Sequence, residues 1–215
     1  MKRLYLASSI DRTAKSIALD LQNETGKKPK DLKLAFIYTA AEPEGIDEDW
    51  LKNDRRGLVE GGFNVFDYTI TDKNEKDIKK DLGDANVIHV NGGNTFYLLL
   101  QARKSGFDKW IKKEVESGNK IYTGSSAGSH AIAPDVSILS KNDTILYEKK
   151  LKDSKGIGLI DFMIFPHWGN ENRELLYLEH RMKLAYNPEN KIILLNDWQY
   201  VKVVGDTYKI VDVRD

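Results

Sequence analysis

Lys120-Ile121-Tyr122-Thr123-Gly124-Ser125-Ser126-Ala127-Gly128-Ser129-His130 is the stretch whose reading decides the fold. It runs from β-branched and aromatic residues through a turn of small residues into the start of a helix. A strand that feeds straight into a helix is one piece of a βαβ unit, and the same alternation continues on the N-terminal side. Strands are expected at 4–7, 32–38, 64–68, 86–90 and 120–123. Residues 11–25 carry Ala14, Ile17, Ala18 and Leu21 at helical spacing, and 95–104 and 109–117 also read as helices. The fold class is therefore α/β, with a mostly parallel sheet and helices on both faces. Beyond Pro134 the pattern changes to a strand at 161–165, a polar helix at 172–185, and strands at 191–195, 200–204 and 208–213. The last two flank Val204-Gly205-Asp206-Thr207, which reads as the turn of a closing β-hairpin. No repeat, low-complexity tract or Pro/Gly-rich linker divides the 215 residues, so one domain over 1–215 is expected.

Composition narrows the function. Hydrophobic residues make up 40%, enough to fill one sizeable core, which excludes fibrous and disordered classes. Lys+Arg and Asp+Glu each number 33, so no net positive field exists to hold a nucleic-acid backbone. No apolar run approaches the roughly 18 residues that span a bilayer, and the apolar stretch near Met1 is too short for a signal peptide. The expectation is a cytoplasmic protein without a membrane or nucleic-acid partner. With no cysteine, every mechanism that uses a thiolate is excluded.

In open parallel sheets ligands bind outside the carboxyl ends of the strands, so the loops that follow strands carry the chemistry. In the opening stretch Gly124 and Gly128 flank Ser126 in the form G-x-S-x-G, which suits a serine held on a sharp strand-to-helix turn. Ser125 would have Thr123 and Ala127 as flanks, a poorer fit. Without a base nearby, such a turn can equally serve as a tight connection or an anion site. A second loop, Asn91-Gly92-Gly93-Asn94-Thr95, could present backbone N–H groups to a ligand, with Asn94 or Thr95 capping the helix that follows. The third, Phe165-Pro166-His167-Trp168, places a histidine just past an apolar strand. Of the other histidines, His89 falls within a strand and His180 within a charged helix. His130 follows Ser126 by four residues, so its ring is expected to point away from an exposed hydroxyl.

Gly92-Gly93-Asn94-Thr95, Gly124-Ser125-Ser126-Ala127-Gly128 and Pro166-His167, in that order, resemble the peptidase E (aspartyl dipeptidase) family of serine peptidases, which is related to cyanophycinase. The resemblance implies a fold akin to class I glutamine amidotransferases, no cofactor, and hydrolysis of very short peptides. It makes Ser126 the nucleophile, His167 the general base, and Gly93 with Ala127 the oxyanion hole. The third member should be an acid that orients His167. Two aspartates compete. Asp143 lies where the family has an Asn-Asp pair, and Asp197 lies after the next strand, where the family places a glutamate. Asp197 ranks first because a strand end beside the His167 strand is geometrically safer than a variable loop; a Ser-His dyad is the remaining alternative. The family's preference for an amino-terminal aspartate points to Arg173 as the cation for that side chain. A non-catalytic module binding a small anion at the glycine loops, and either a monomer or a homodimer, stay open at this level.

Overall fold

The computed structural model describes residues 1–139, 145–186 and 189–214. In chain order the elements are β1 (Arg3–Ala7), α1 (Ile10–Thr25), β2 (Lys33–Ile37), α2 (Asp49–Glu60), β3 (Asn64–Tyr68) and α3 (Glu75–Asp81). There follow β4 (Val87–Val90), α4 (Thr95–Ser105), α5 (Phe107–Glu116), β5 (Ile121–Ser125) and α6 (Ala127–Ala131). The last part holds α7 (Ile145–Glu148), β6 (Met163–Phe165), α8 (Met182–Ala185), β7 (Ile192–Leu194), β8 (Gln199–Val204) and β9 (Thr207–Asp212).

Side chains alternate across a strand, and here both faces are apolar. Leu4 and Leu6 of β1, with Ala35 and Ile37 of β2, face a core shared with Phe96, Leu99 and Ile111 of α4 and α5. Their neighbours Tyr5, Ala7, Leu34 and Phe36 face a second core with Ile10, Ala14 and Ile17 of α1 and Leu51 and Leu58 of α2. Each fully buried aliphatic side chain contributes about 1.5–3 kcal/mol of transfer free energy, so both faces must be covered, and helices lie on both.

The main sheet has the order β3-β2-β4-β5-β1-β8-β9. β3, β2, β4, β5 and β1 run parallel, while β8 is antiparallel to β1 and forms the terminal hairpin with β9. This is the expected mostly parallel α/β sheet. The strands at 161–165 and 191–195 are shorter than expected and stand apart. As β6 and β7 they pair parallel in a small sheet of their own.

Three helices were not anticipated: α2, α3 and the four-residue α7. α2 has Asp54 and Gly57 among its four buried positions, and α3 buries Ile78 alone, so neither shows a broad apolar stripe. The polar helix at 172–185 is divided into a 3-10 turn (Glu171–Arg173), a π-helical segment (Leu176–Arg181) and α8. Among the described residues no helix is long and apolar enough to cross a membrane.

Candidate active site

β4, β5 and β1 lie side by side, so the loops at their carboxyl ends open onto one place. Ser126 joins β5 to α6 with φ 45° and ψ −107°, a left-handed conformation that side chains with a Cβ rarely adopt. The flanking glycines make this turn possible. A Cβ on Gly128 would collide with the Val90 carbonyl oxygen, and one on Gly124 would lie 2.8 Å from the Gly128 backbone. The Ser126 N–H donates to the Ala7 carbonyl at 3.2 Å, which fixes the turn against β1.

His167 follows β6 and Asp197 follows β7, so the parallel pairing of those strands sets the two residues side by side. The His167 Nε2 lies 3.1 Å from Ser126 Oγ, and its Nδ1 lies 2.6 Å from Asp197 Oδ1. Burial alone would raise the Asp197 pKa, but hydrogen bonds from His167 and Ser8, with the charge of Arg12 nearby, hold it below the usual carboxylate value. An ionised carboxylate only accepts, so Nδ1 carries the proton and the neutral ring offers its Nε2 lone pair to the serine hydroxyl. His167 is itself in a left-handed conformation, with φ 61°. Two non-glycine residues in direct contact thus both hold strained backbone, each costing on the order of 1–3 kcal/mol.

Ser8, at the end of β1, is the residue that sequence reasoning missed. Its hydroxyl donates to Asp197 Oδ1 at 2.7 Å and accepts the backbone N–H of His167 at 2.7 Å. The one available signal was its place just past a parallel strand, in an Ala-Ser-Ser run without glycine.

The other expected residues divide. Gly92, Gly93, Asn94 and Arg173 line, with Ser126 and His167, a cavity of about 510 Å³. Gly93 has φ 126°, and a Cβ there would collide with the Ala40 carbonyl. Asn94 caps α4, accepting the Tyr97 N–H at 2.9 Å. Ala127, buried, is the first residue of α6, where backbone N–H groups have no partner within the helix. Arg173 is exposed and ends the 3-10 turn. Asp143 lies outside the described residues. His89 is buried between Thr123 Oγ1 at 2.8 Å and Asn91 Oδ1 at 3.1 Å, and burial lowers its pKa to about 4. The His130 N–H donates to the Ser126 carbonyl at 3.0 Å, but its ring makes no hydrogen bond to the Ser126 hydroxyl, although His130 lines the same cavity. Its Nε2 is buried without a partner, and burial with the charge of Arg181 keeps the ring neutral.

The profile of peptidase family S51 matches residues 4–211. A peptidase E of Shewanella denitrificans is 32% identical over 167 residues, covering 74% of this chain and 68% of the relative. One from Streptomyces coelicolor is 26% identical over 229 residues, covering 100% of this chain and 86% of the relative. An uncharacterised peptidase of Pasteurella multocida is 28% identical over 170 residues, 79% of each chain. Among solved structures, a Listeria monocytogenes EGD-e protein provisionally described as a peptidase E superposes with TM-score 0.82 at 25% identity, covering 99% of this chain and 98% of that one. A peptidase from an acI-B1 actinobacterium shares the fold, with TM-score 0.70 at 20% identity over 99% and 88%.

Proposed function

The chain belongs to peptidase family S51, and from that premise we propose that it is a serine hydrolase of very short peptides working through Ser126, His167 and Asp197. The observation that carries this reading is the continuous relay from Ser126 Oγ through both ring nitrogens of His167 to Asp197 at the wall of a cavity. His167 Nε2 takes the Ser126 proton as Oγ attacks the peptide carbonyl carbon. Asp197 stabilises the imidazolium that results. The oxyanion is held by the N–H groups of Gly93 and Ala127, the role the glycine loop and the start of α6 are suited to fill. Collapse of the tetrahedral intermediate breaks the C–N bond, and the proton on Nε2 passes to the leaving amine. Water then repeats the sequence on the acyl-serine, releasing the acid and restoring Ser126.

Arg173 supplies the preference for an amino-terminal aspartate. Supporting this role are its place on the cavity wall and its position after His167. The local contact has to do the selecting, because equal numbers of acidic and basic residues give no long-range attraction for acidic peptides. Fluorophosphonate labelling tests the chemistry, since only an activated serine reacts: wild type should label and Ser126→Ala should not. Labelling that persists in Ser126→Ala and disappears in Ser125→Ala would overturn the assignment. For specificity, Arg173→Ala should lower kcat/KM for Asp-X dipeptides by about 10- to 150-fold and spare neutral dipeptides, the span of a charged hydrogen bond. Equal losses on both substrates would refute the role of Arg173.

A further inference from the structure

Asp54 is a buried ionisable group in the cavity wall that the relay does not use. It is 9% exposed, lines the same cavity as Ser126, and sits one helical turn after Trp50 on the same face of α2. We propose that Asp54, with the ring of Trp50, forms the subsite that receives the α-ammonium group of the peptide substrate. The inference rests on the peptidase reading of Ser126.

Charge is the first support. Among the described residues no cation pairs with Asp54. Its neighbours are the Asp11 N–H, the Asp11 carboxylate and the amide of Asn91. Burial, chiefly, pushes its carboxyl up to about 7, as expected of a buried acid left without a counter-charge. A substrate ammonium is that counter-charge, and an aromatic ring beside it adds a cation–π contact. The Asp11 N–H lies in the first turn of α1, where the Ser9 side chain makes no capping bond, so Asp54 also serves that helix. The two oxygens of a carboxylate offer about four lone pairs, so the Asp11 N–H and the Asn91 amide leave acceptor capacity for a ligand.

Position is the second. Asp54 and Trp50 come from a helix that packs on one face of the main sheet, while Arg181 lines the cavity from a segment packed on the other. Arg173 lines the cavity as well, from the 3-10 turn that precedes the Arg181 segment. An acidic wall facing a basic wall matches the two charged ends of a short free peptide. Gly92 sets the spacing. A Cβ there would lie 3.4 Å from Ser126 Cβ and 3.7 Å from the Trp50 ring. At ~3.3–3.6 Å per residue, an amine at Trp50 and Asp54 is one or two residues from the attacked carbonyl.

The test is binding in the Ser126→Ala background, where peptide is not consumed. Asp-Leu and Ala-Leu are titrated calorimetrically beside their N-acetyl forms. The free peptides should bind about 10- to 150-fold more tightly than the acetylated ones, and Asp54→Asn should remove that advantage while leaving the weak binding of the acetylated forms unchanged. Trp50→Leu, which leaves the α1 contact of Asp54 alone, should cost the free peptides about 2- to 30-fold and so reads the same subsite if Asp54→Asn folds poorly. Equal affinity for free and acetylated peptides, absence of binding by any of them, or an advantage that survives both substitutions would overturn the subsite. Fluorophosphonate labelling of the wild type reads Ser126 separately. A labelled protein without amine discrimination discards the subsite alone, and an unlabelled protein that still discriminates discards the hydrolase reading alone.

Discussion

Asp54→Asn should make the protein progressively more stable, relative to wild type, as pH rises from about 5 to about 8. In the folded chain burial holds the Asp54 proton up to about 7, against 3.8 for an unperturbed aspartate. Between those values the folded state keeps a proton that the unfolded state has released. The folded state thus binds more protons, and wild-type stability falls as pH rises through the window and levels off above the folded pKa. Each unit of difference is worth about 1.4 kcal/mol, so the two units from about pH 5 to about pH 7 remove ~3 kcal/mol. Asparagine does not titrate and keeps an acceptor for the Asp11 N–H. Whatever the substitution costs at about pH 5, the comparison should move ~3 kcal/mol in favour of Asp54→Asn by about pH 8. Urea unfolding at intervals of one pH unit measures this directly. In melting temperature the same change is about 6–12 °C for a chain of this size. A gap between variant and wild type that stays constant over the range would show that the carboxyl ionises freely, and the case for an unbalanced buried acid would fall with it. The variant that strengthens the empty fold should also weaken amine binding, an opposition common where a site keeps an unfavourable group for its ligand.

Other expectations follow from the relay. Ser126→Gly should be more stable than Ser126→Ala by about 1 kcal/mol, because glycine adopts φ 45° without strain, and equal melting curves would show that the turn is unstrained. Asp197→Asn should lower kcat by up to about 10⁴-fold with little change in KM, since an orienting acid acts mainly on the transition state. Because the Asp197 pKa is held below 3.8, its protonation should set no limb of the rate profile above about pH 4, and an acid limb that vanishes in Asp197→Asn would contradict this. Ser8→Ala should slow fluorophosphonate labelling and turnover by about tenfold through the lost hydrogen bond to Asp197, and unchanged rates would reduce Ser8 to a packing residue.

The parallel sheet was legible because burial on both faces forces apolar residues into successive positions of β1, β2 and β4. Strand order was not, since pairing β5 with β1 joins segments more than a hundred residues apart through contacts that leave no local pattern. α3 opens with a capping box, Asn74 with Asp77, which is a readable start signal, yet a helix of seven residues with one buried side chain gives periodicity nothing to work on. α2 fails for another reason. Asp54 and Gly57 occupy inward positions where an apolar stripe would be sought, one in the cavity wall and one where α1 comes close. The departure from the pattern falls at a candidate functional position, where local rules are most often broken.

The relay was only partly legible, and the missing part explains how it is held together. Ser126 belongs to the main sheet, whereas His167 and Asp197 extend from the small sheet of β6 and β7, so their alignment depends on how the two sheets are fastened. Spacing singled out Ser126 between its glycines, and strand ends pointed to His167 and ranked Asp197 ahead of Asp143, because each of those signals is local. The fastening is not. Ser8, just past the strand next to β5, grips the His167 backbone and the Asp197 carboxylate with one hydroxyl, while the carbonyl of the preceding Ala7 takes the Ser126 N–H. Ala7 and Ser8 therefore touch all three members of the relay from β1. A shift of β1 against the small sheet would change the 3.1 Å contact between Ser126 and His167. A misplacement of about 1 Å can cost on the order of a hundredfold in rate, so this two-residue strand end sets the geometry on which the proposed proton transfer depends.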